Sequence, residues 1–166
     1  NDPEVVEHEA GHSVFFLTLI STTGVSRKTH EGLADSLVGS YTKNPCLGEL
    51  ICPKGSRICV SAKCLRSAEN NYTLDSADLP TDAHKGGQLL SGLFWDIGQE
   101  TGHEIVANLL VNTVYPKQAD FIDAIEAVLV ADKNLYKGKY TCAMIEAAKK
   151  RGFSESLAER NLSCTT

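Results

Sequence analysis

Four of the six cysteines are crowded into residues 46–64, and this spacing constrains the fold more than any other feature. The stretch from Cys46 to Thr81 is rich in Cys, Gly, Pro, Ser and Asn and has no sustained hydrophobic period, which predicts a long loop closed by disulfides. The sequence does not choose among the three pairings of these four cysteines. We expect Cys142 and Cys164 to pair with each other.

The cysteines also indicate the chemical environment of the chain. Their number is even, and two glycosylation acceptor sequences accompany them, at Asn71 and Asn161. Together these features favour an oxidising, secreted setting. The alternative is six free thiols and two accidental acceptor sequences. Zinc bound by cysteines is disfavoured, because no spacing is the short C-x-x-C of a zinc ribbon.

Composition describes one ordinary globular domain. The chain has 166 residues, of which 42% are hydrophobic and 22% charged, and its net charge is −5. That sign is unfavourable for a nucleic-acid partner. The longest apolar run covers only residues 14–20, whereas a membrane span needs about 20 residues. We therefore expect no nucleic-acid partner and no membrane span.

Sequence patterns that predict helices lie on both sides of the loop. Asp2 is a suitable N-cap with Pro3 at the first helical position, so a helix is predicted from here to Leu19 or Ile20. A second helix is predicted from about Lys28 to Tyr41, and the two could form a hairpin. Apolar periodicity predicts four more helices downstream, at 86–98, 103–114, 118–133 and 142–151.

These predictions describe a mainly α fold with a disulfide-stapled loop region, because no strand pattern is convincing. We expect residues 1–166 to form a single domain. Within it, a helical pair occupies residues 1–43, a Cys-rich loop 44–83 and a helical bundle 84–166.

The first predicted helix carries an H-E-x-x-H sequence at residues 8–12. Four residues of an α-helix advance about 400°, so His8 and His12 lie about 40° apart on one face and can grip one metal ion. Two neutral imidazoles suit Zn²⁺, and Glu9 beside them can accept a proton from an activated water. The alternative is a pair of surface histidines on an amphipathic helix.

A catalytic zinc normally needs a third protein ligand, and Glu31 on the second helix is the leading candidate. Asp35 follows one helical turn later and could accept the second N–H of a ligating histidine. His30 is adjacent to Glu31 but points about 100° away on the helix, so we expect it not to be a ligand. The alternative is that Glu31 and Asp35 are an acidic pair on a solvated face.

The H-E-x-x-H sequence followed by Glu31-Gly32-Leu33-Ala34-Asp35 resembles the zinc core of the thermolysin-like and fungalysin-like metallopeptidases, the gluzincins. Other stretches resemble later motifs of that family: Leu65-Arg66-Ser67, His84-Lys85-Gly86-Gly87, Ser91-Gly92-Leu93-Phe94-Trp95-Asp96, Phe121-Ile122-Asp123-Ala124, Ala131-Asp132 and Arg151-Gly152-Phe153. The resemblance extends over nearly the whole chain.

The resemblance implies a secreted zinc metalloendopeptidase acting on peptide or protein substrates. It implies that His8, His12 and Glu31 bind Zn²⁺ and that Glu9 is the general base and proton shuttle. Asp35 would orient a ligating histidine.

Two further roles come from the resemblance. His84 would stabilise the tetrahedral oxyanion, and Arg66 would hold a substrate carbonyl oxygen. If the resemblance is set aside, His84 is explained equally well as a helix-capping or solvated histidine. Arg66 is then explained as an ordinary surface charge.

The family also has a β-rich lobe before the zinc helix. Only seven residues precede His8, so we expect that lobe to be absent here and the chain to be the helical lobe of such an enzyme. An upstream β-lobe or a propeptide is therefore a candidate partner.

Two other functions stay open at this point. One is a catalytically weak module that binds a protein partner. The other is a gluzincin aminopeptidase, although the G-x-M-E-N sequence of those enzymes is not present.

Overall fold

The computed structural model describes residues 2–17, 26–52, 59, 63–76 and 81–164. Eight α-helices and two short strands lie in these ranges, so the prediction of a mainly α fold is confirmed. Within the same ranges, no helix combines the length and the apolar character needed to cross a bilayer. The predicted extension of the first helix to Leu19 or Ile20 falls outside the described residues.

The first two helices form the predicted hairpin. Helix α1 spans Pro3–Leu17, and α2 spans Ser26–Thr42. Asp2 caps α1 as expected, since its Oδ1 accepts from two backbone N–H groups of the first turn. The side-chain pairs 8 with 35 and 12 with 30 occur in opposite chain order, which makes the helices antiparallel.

The loop that follows contains more regular structure than its composition indicated. Strand β1 (Cys46–Leu47) pairs antiparallel with strand β2 (Arg66–Ser67), and a 3₁₀ turn covers Glu49–Ile51. The expectation of no strand was therefore wrong. Two residues are too few to show the alternating pattern by which a strand is found in a sequence.

All six cysteines are paired. Cys46 bonds to Cys64 and Cys52 to Cys59, so one loop is nested inside the other. The expected pair of Cys142 and Cys164 is present. A disulfide-stapled loop region is thus confirmed, and three disulfides indicate an oxidising environment.

Six helices complete the fold. The four predicted from periodicity are present with shifted ends, and two short helices, α3 and α8, were not predicted. Their bounds are α3 Ala83–Gly86, α4 Gln88–Thr101, α5 His103–Asn112, α6 Phe121–Tyr136, α7 Thr141–Lys150 and α8 Ser154–Glu159. Gly152 ends α7 with φ +88°, the left-handed conformation expected after a helix C-terminus.

Helix α2 lies at the centre of the molecule and packs against α1, α4 and α5. Leu33 and Ala34 of α2 are fully buried, and α4 contributes a core face of Leu89, Leu90, Leu93, Phe94 and Ile97. The same central helix also buries His30, Glu31 and Asp35. Buried polar side chains need internal partners, and α1 supplies a partner for each of these three.

Candidate metal centre

Glu31 is the focus of the polar cluster between α1 and α2. Its side chain is buried, and its Oε2 atom lies 3.2 Å from His8 Nε2 and 3.5 Å from His12 Nε2. Oε2 nevertheless has no hydrogen-bond partner in the structure. Burial opposes ionisation of Glu31, but the facing imidazoles of His12 and His8 hold its pKa well below the usual range. The carboxylate is therefore charged.

His8 is held at both ring nitrogens. Its Nε2 faces Glu31, and its Nδ1 lies 2.7 Å from Asp35 Oδ1. Burial disfavours the charged imidazole, yet the two carboxylates raise the pKa of His8 to about 9. The surroundings of His8 therefore favour a positive charge on the ring. A metal ion that bound to His8 would displace a proton from the imidazole.

Asp35 is itself fixed by Arg66 of strand β2. The guanidinium donates from Nε to Oδ2 at 2.7 Å and from Nη2 to Oδ1 at 2.9 Å. Burial opposes ionisation of Asp35, but His8 and Arg66 lower its pKa. The resemblance assigned Arg66 to a substrate carbonyl. The structure places it in the buried pair with Asp35, and its substrate role stays a prediction.

His12 is held in a similar way by a residue that the sequence analysis set aside. Its Nε2 faces Glu31, while its Nδ1 lies 2.6 Å from His30 Nδ1, and the two rings are stacked 14° from parallel. Burial and the neighbouring His12 ring lower the pKa of His30 to about 4, so His30 is neutral. Its place directly before Glu31, on the helix that faces α1, was the available signal.

His84 approaches from the other side of Glu31. It belongs to α3, whose N-cap Asp82 accepts the Lys85 backbone N–H. Its Nε2 lies 3.5 Å from Glu31 Oε1, and 45% of its side chain is exposed. The imidazole thus stands at the solvent edge of the cluster.

Close backbone packing brings α3 to this position. A Cβ atom added to Gly32 would lie 2.6 Å from the carbonyl oxygen of Gly87, and one added to Gly87 would lie 2.7 Å from the Gly32 nitrogen. Only glycine permits this approach between α2 and the start of α4. The contact fixes the distance between Glu31 and His84.

Glu9 completes the set from the solvent side of α1. The ligand atoms of His8, Glu9 and His12 lie within 4.8 Å of one another, so this His-Glu-His group could hold a metal ion. His8 is buried, His12 is half-buried and Glu9 is exposed. Glu31 offers a second carboxylate to the same imidazoles from the protein interior.

The residues fit a metal ion in a way that their hydrogen bonding alone does not explain. Two imidazole nitrogens and one charged carboxylate oxygen converge, and the oxygen is buried without a hydrogen bond. Leaving such a group unsatisfied costs about 1–3 kcal/mol, and more for a charged group. A cation between these three atoms would remove that cost.

Comparison of the chain with protein-family models, curated proteins and solved structures gives no match. What the centre does must therefore follow from its own geometry. The structure brings together all seven predicted site residues: His8, Glu9, His12, Glu31, Asp35, Arg66 and His84.

Proposed function

We propose that this chain is a zinc-dependent hydrolase of peptide bonds, acting in a secreted or extracellular setting, either by itself or as the catalytic lobe of a larger enzyme. The observation that carries the proposal is the buried Glu31 Oε2, which faces the Nε2 atoms of His8 and His12 without a hydrogen bond of its own. The three disulfides support the extracellular setting.

Zinc is the metal that best suits these donors. His8 Nε2, His12 Nε2 and Glu31 would hold it, and two imidazoles with one carboxylate are a donor set of catalytic zinc sites. When bound, zinc supplies a Lewis acid that lowers the pKa of a coordinated water and polarises a carbonyl group. The protein's other residues then govern where protons move and where charge develops.

In this proposal, Glu9 moves the proton. Its carboxylate is exposed and adjacent to both imidazoles. As water oxygen bonds to the substrate carbonyl carbon, Glu9 takes the water proton; as the C–N bond breaks, it delivers that proton to the leaving nitrogen. General acid–base transfer of this kind typically contributes about 10²-fold to 10⁴-fold in rate.

In the same proposal, His84 stabilises the negative charge that develops on the substrate carbonyl oxygen. Its half-exposed ring borders Glu31 and is open to a substrate arriving from solvent. A hydrogen-bond donor aimed at a developing oxyanion is typically worth about 2.7–4 kcal/mol. Arg66, fixed by Asp35, lies against the His8 ring, with Nη2 3.4 Å from both ring nitrogens.

Replacement of Glu9 by glutamine tests the proposal, because it removes the proton acceptor and leaves the ligands in place. We expect wild type and Glu9→Gln to bind one equivalent of zinc and only wild type to cleave casein or a fluorogenic peptide library. Metal content is measured by atomic emission on the disulfide-intact protein. Glu7→Gln is the matched control, since Glu7 is an exposed carboxylate of the same helix, and it should retain full activity.

Two results would contradict the proposal. A wild-type protein that binds no zinc would show that the proposed zinc site is absent. Wild type that binds zinc but cleaves no faster than Glu9→Gln does not hydrolyse peptides by itself, and the centre would then serve a protein-binding module or a lobe that acts only with a further lobe.

A further inference from the structure

We infer that His30 is a positioning residue for His12: its Nδ1 accepts the hydrogen of His12 Nδ1 and thereby aims the Nε2 of His12 at Glu31. The inference rests on the proposed metal centre. It assigns a function to a residue that the helical spacing had excluded from the ligands.

The distance between the two rings requires a shared hydrogen. His12 Nδ1 and His30 Nδ1 are 2.6 Å apart, and the ring centroids are 4.5 Å apart. Two nitrogen lone pairs cannot face each other at this separation, so one nitrogen carries the hydrogen. Each neutral imidazole has one N–H donor and one acceptor nitrogen.

The proposed metal centre determines whether His12 Nδ1 or His30 Nδ1 is the hydrogen-bond donor. His12 turns its Nε2 towards Glu31, and a ligating nitrogen must be free of its proton. The hydrogen of neutral His12 is then on Nδ1, so His30 Nδ1 is the acceptor. The hydrogen of His30 is on its own Nε2.

The burial of His30 favours a role other than stability. The residue is 2% exposed, and its Nε2 has no hydrogen-bond partner in the structure. An unsatisfied buried donor destabilises the folded protein, and an apolar side chain at this position would avoid that cost. The polar contact that the structure gives this imidazole is the one to His12.

Helix α2 anchors the two imidazoles of α1 in the same way. His8 directs Nε2 to Glu31 and Nδ1 to Asp35; His12 directs Nε2 to Glu31 and Nδ1 to His30. Partners of this kind fix the tautomer and the ring orientation of a ligand.

The two anchors differ in charge, and the difference is consistent with the rest of the cluster. Asp35 is paired with Arg66, so together they add no net charge. His30 accepts at Nδ1 and carries its one ring hydrogen on Nε2, so it adds no charge either. The charge of a divalent ion would therefore be offset by the carboxylates that face it, those of Glu31 and Glu9.

Nuclear magnetic resonance of the zinc-loaded wild-type protein tests the inference without altering the chain. Long-range ¹H–¹⁵N correlations identify which imidazole nitrogens carry hydrogen. We expect His12 to be protonated at Nδ1 and His30 to be protonated at Nε2 only. A His30 protonated at Nδ1 would overturn the inference.

Two substitutions at position 30 test the consequence for metal affinity. His30→Leu removes the acceptor, and we expect the zinc Kd to rise about 10-fold to 100-fold. His30→Asn places Oδ1 where Nδ1 was, so it should restore most of the affinity, and the absorption bands of the Co²⁺-loaded form should stay close to those of wild type.

His103→Leu is the control. His103 is also an imidazole packed against a ring, that of Trp95, but outside the metal centre; its loss should leave the zinc Kd unchanged. Equal zinc affinity of His30→Leu and wild type would contradict the inference alone. Failure of wild type to bind zinc would instead contradict the proposed function.

Discussion

The two imidazoles of α1 are each held at both ring nitrogens, so the loss of one partner changes how a ring is oriented. Asp35 joins two side chains, since it accepts from both Nε and Nη2 of Arg66 and lies 2.7 Å from His8 Nδ1. Its loss would free the His8 ring and leave a buried guanidinium unpaired. Metal affinity and stability should therefore fall together.

Asp35→Ala should raise the zinc Kd about 10-fold to 100-fold through lost orientation of His8. It should also lower the free energy of unfolding by about 3–5 kcal/mol, because one partner of a buried ion pair is removed. Zinc affinity is measured by competition with a chromophoric chelator, and stability by urea unfolding.

Asp96→Ala is the matched control for Asp35→Ala. Asp96 also accepts a 2.7 Å bond from an arginine Nε, that of Arg151, but away from the centre, and 40% of its side chain is exposed. Arg151 keeps its bonds to Asn70 and to two backbone carbonyls. We expect a smaller loss of stability and no change in zinc Kd. Equal effects on Kd from both variants would contradict the assigned role of Asp35.

At the scale of elements, the centre depends on how closely the helices approach α2. A Cβ at Gly32 would lie 2.6 Å from the Gly87 carbonyl oxygen and 2.8 Å from Leu90 Cβ, so α4 would have to move. A Cβ at Gly11 would lie 3.4 Å from the Ala34 Cα, an ordinary contact. Two glycines of the same helix pair thus differ in how much space surrounds them.

Gly32→Ala should destabilise the protein by about 1–3 kcal/mol, the usual cost of overpacking a core. Gly11→Ala should be neutral or stabilising by up to about 1 kcal/mol, because alanine favours a helix interior. Both are measured by the midpoint of urea unfolding. If the two variants have the same midpoint, the close approach of α2 and α4 is not as described.

The long helices were predictable, and the short elements were not. Helices of ten residues or more repeat their apolar face often enough to be recognised. Helices α3 and α8 have four and six residues, which is less than two turns. Strands β1 and β2 have two residues each. Their positions are set by tertiary contacts and disulfides rather than by a local pattern.

The candidate site was predictable to the extent that it follows one helical face. The spacing of residues 8 and 12 and the hairpin predicted that Glu31 and Asp35 return to α1, and the structure brings them there. The partnership of His30 was missed, because a helical angle gives the direction of a side chain but not the neighbouring ring into which it packs.

At the scale of the whole molecule, the disulfide-stapled loop is fixed to the start of helix α1. Asp2 Oδ2 accepts from the Leu50 backbone N–H at 2.8 Å, and Glu4 accepts from Asn44 Nδ2 and from the Gly48 backbone N–H. These partners are more than 35 residues away in the chain, so sequence patterns did not indicate them. The loop, the strand that carries Arg66 and helix α1 therefore support the centre together.

Anomalous X-ray scattering tests directly whether these residues bind zinc. A crystal of the zinc-loaded protein is measured at energies on both sides of the zinc absorption edge. We predict one anomalous peak per chain, at about 2.0–2.2 Å from His8 Nε2, His12 Nε2 and a Glu31 oxygen. No peak at that position, or a peak bound to other residues without Glu31, would contradict the account.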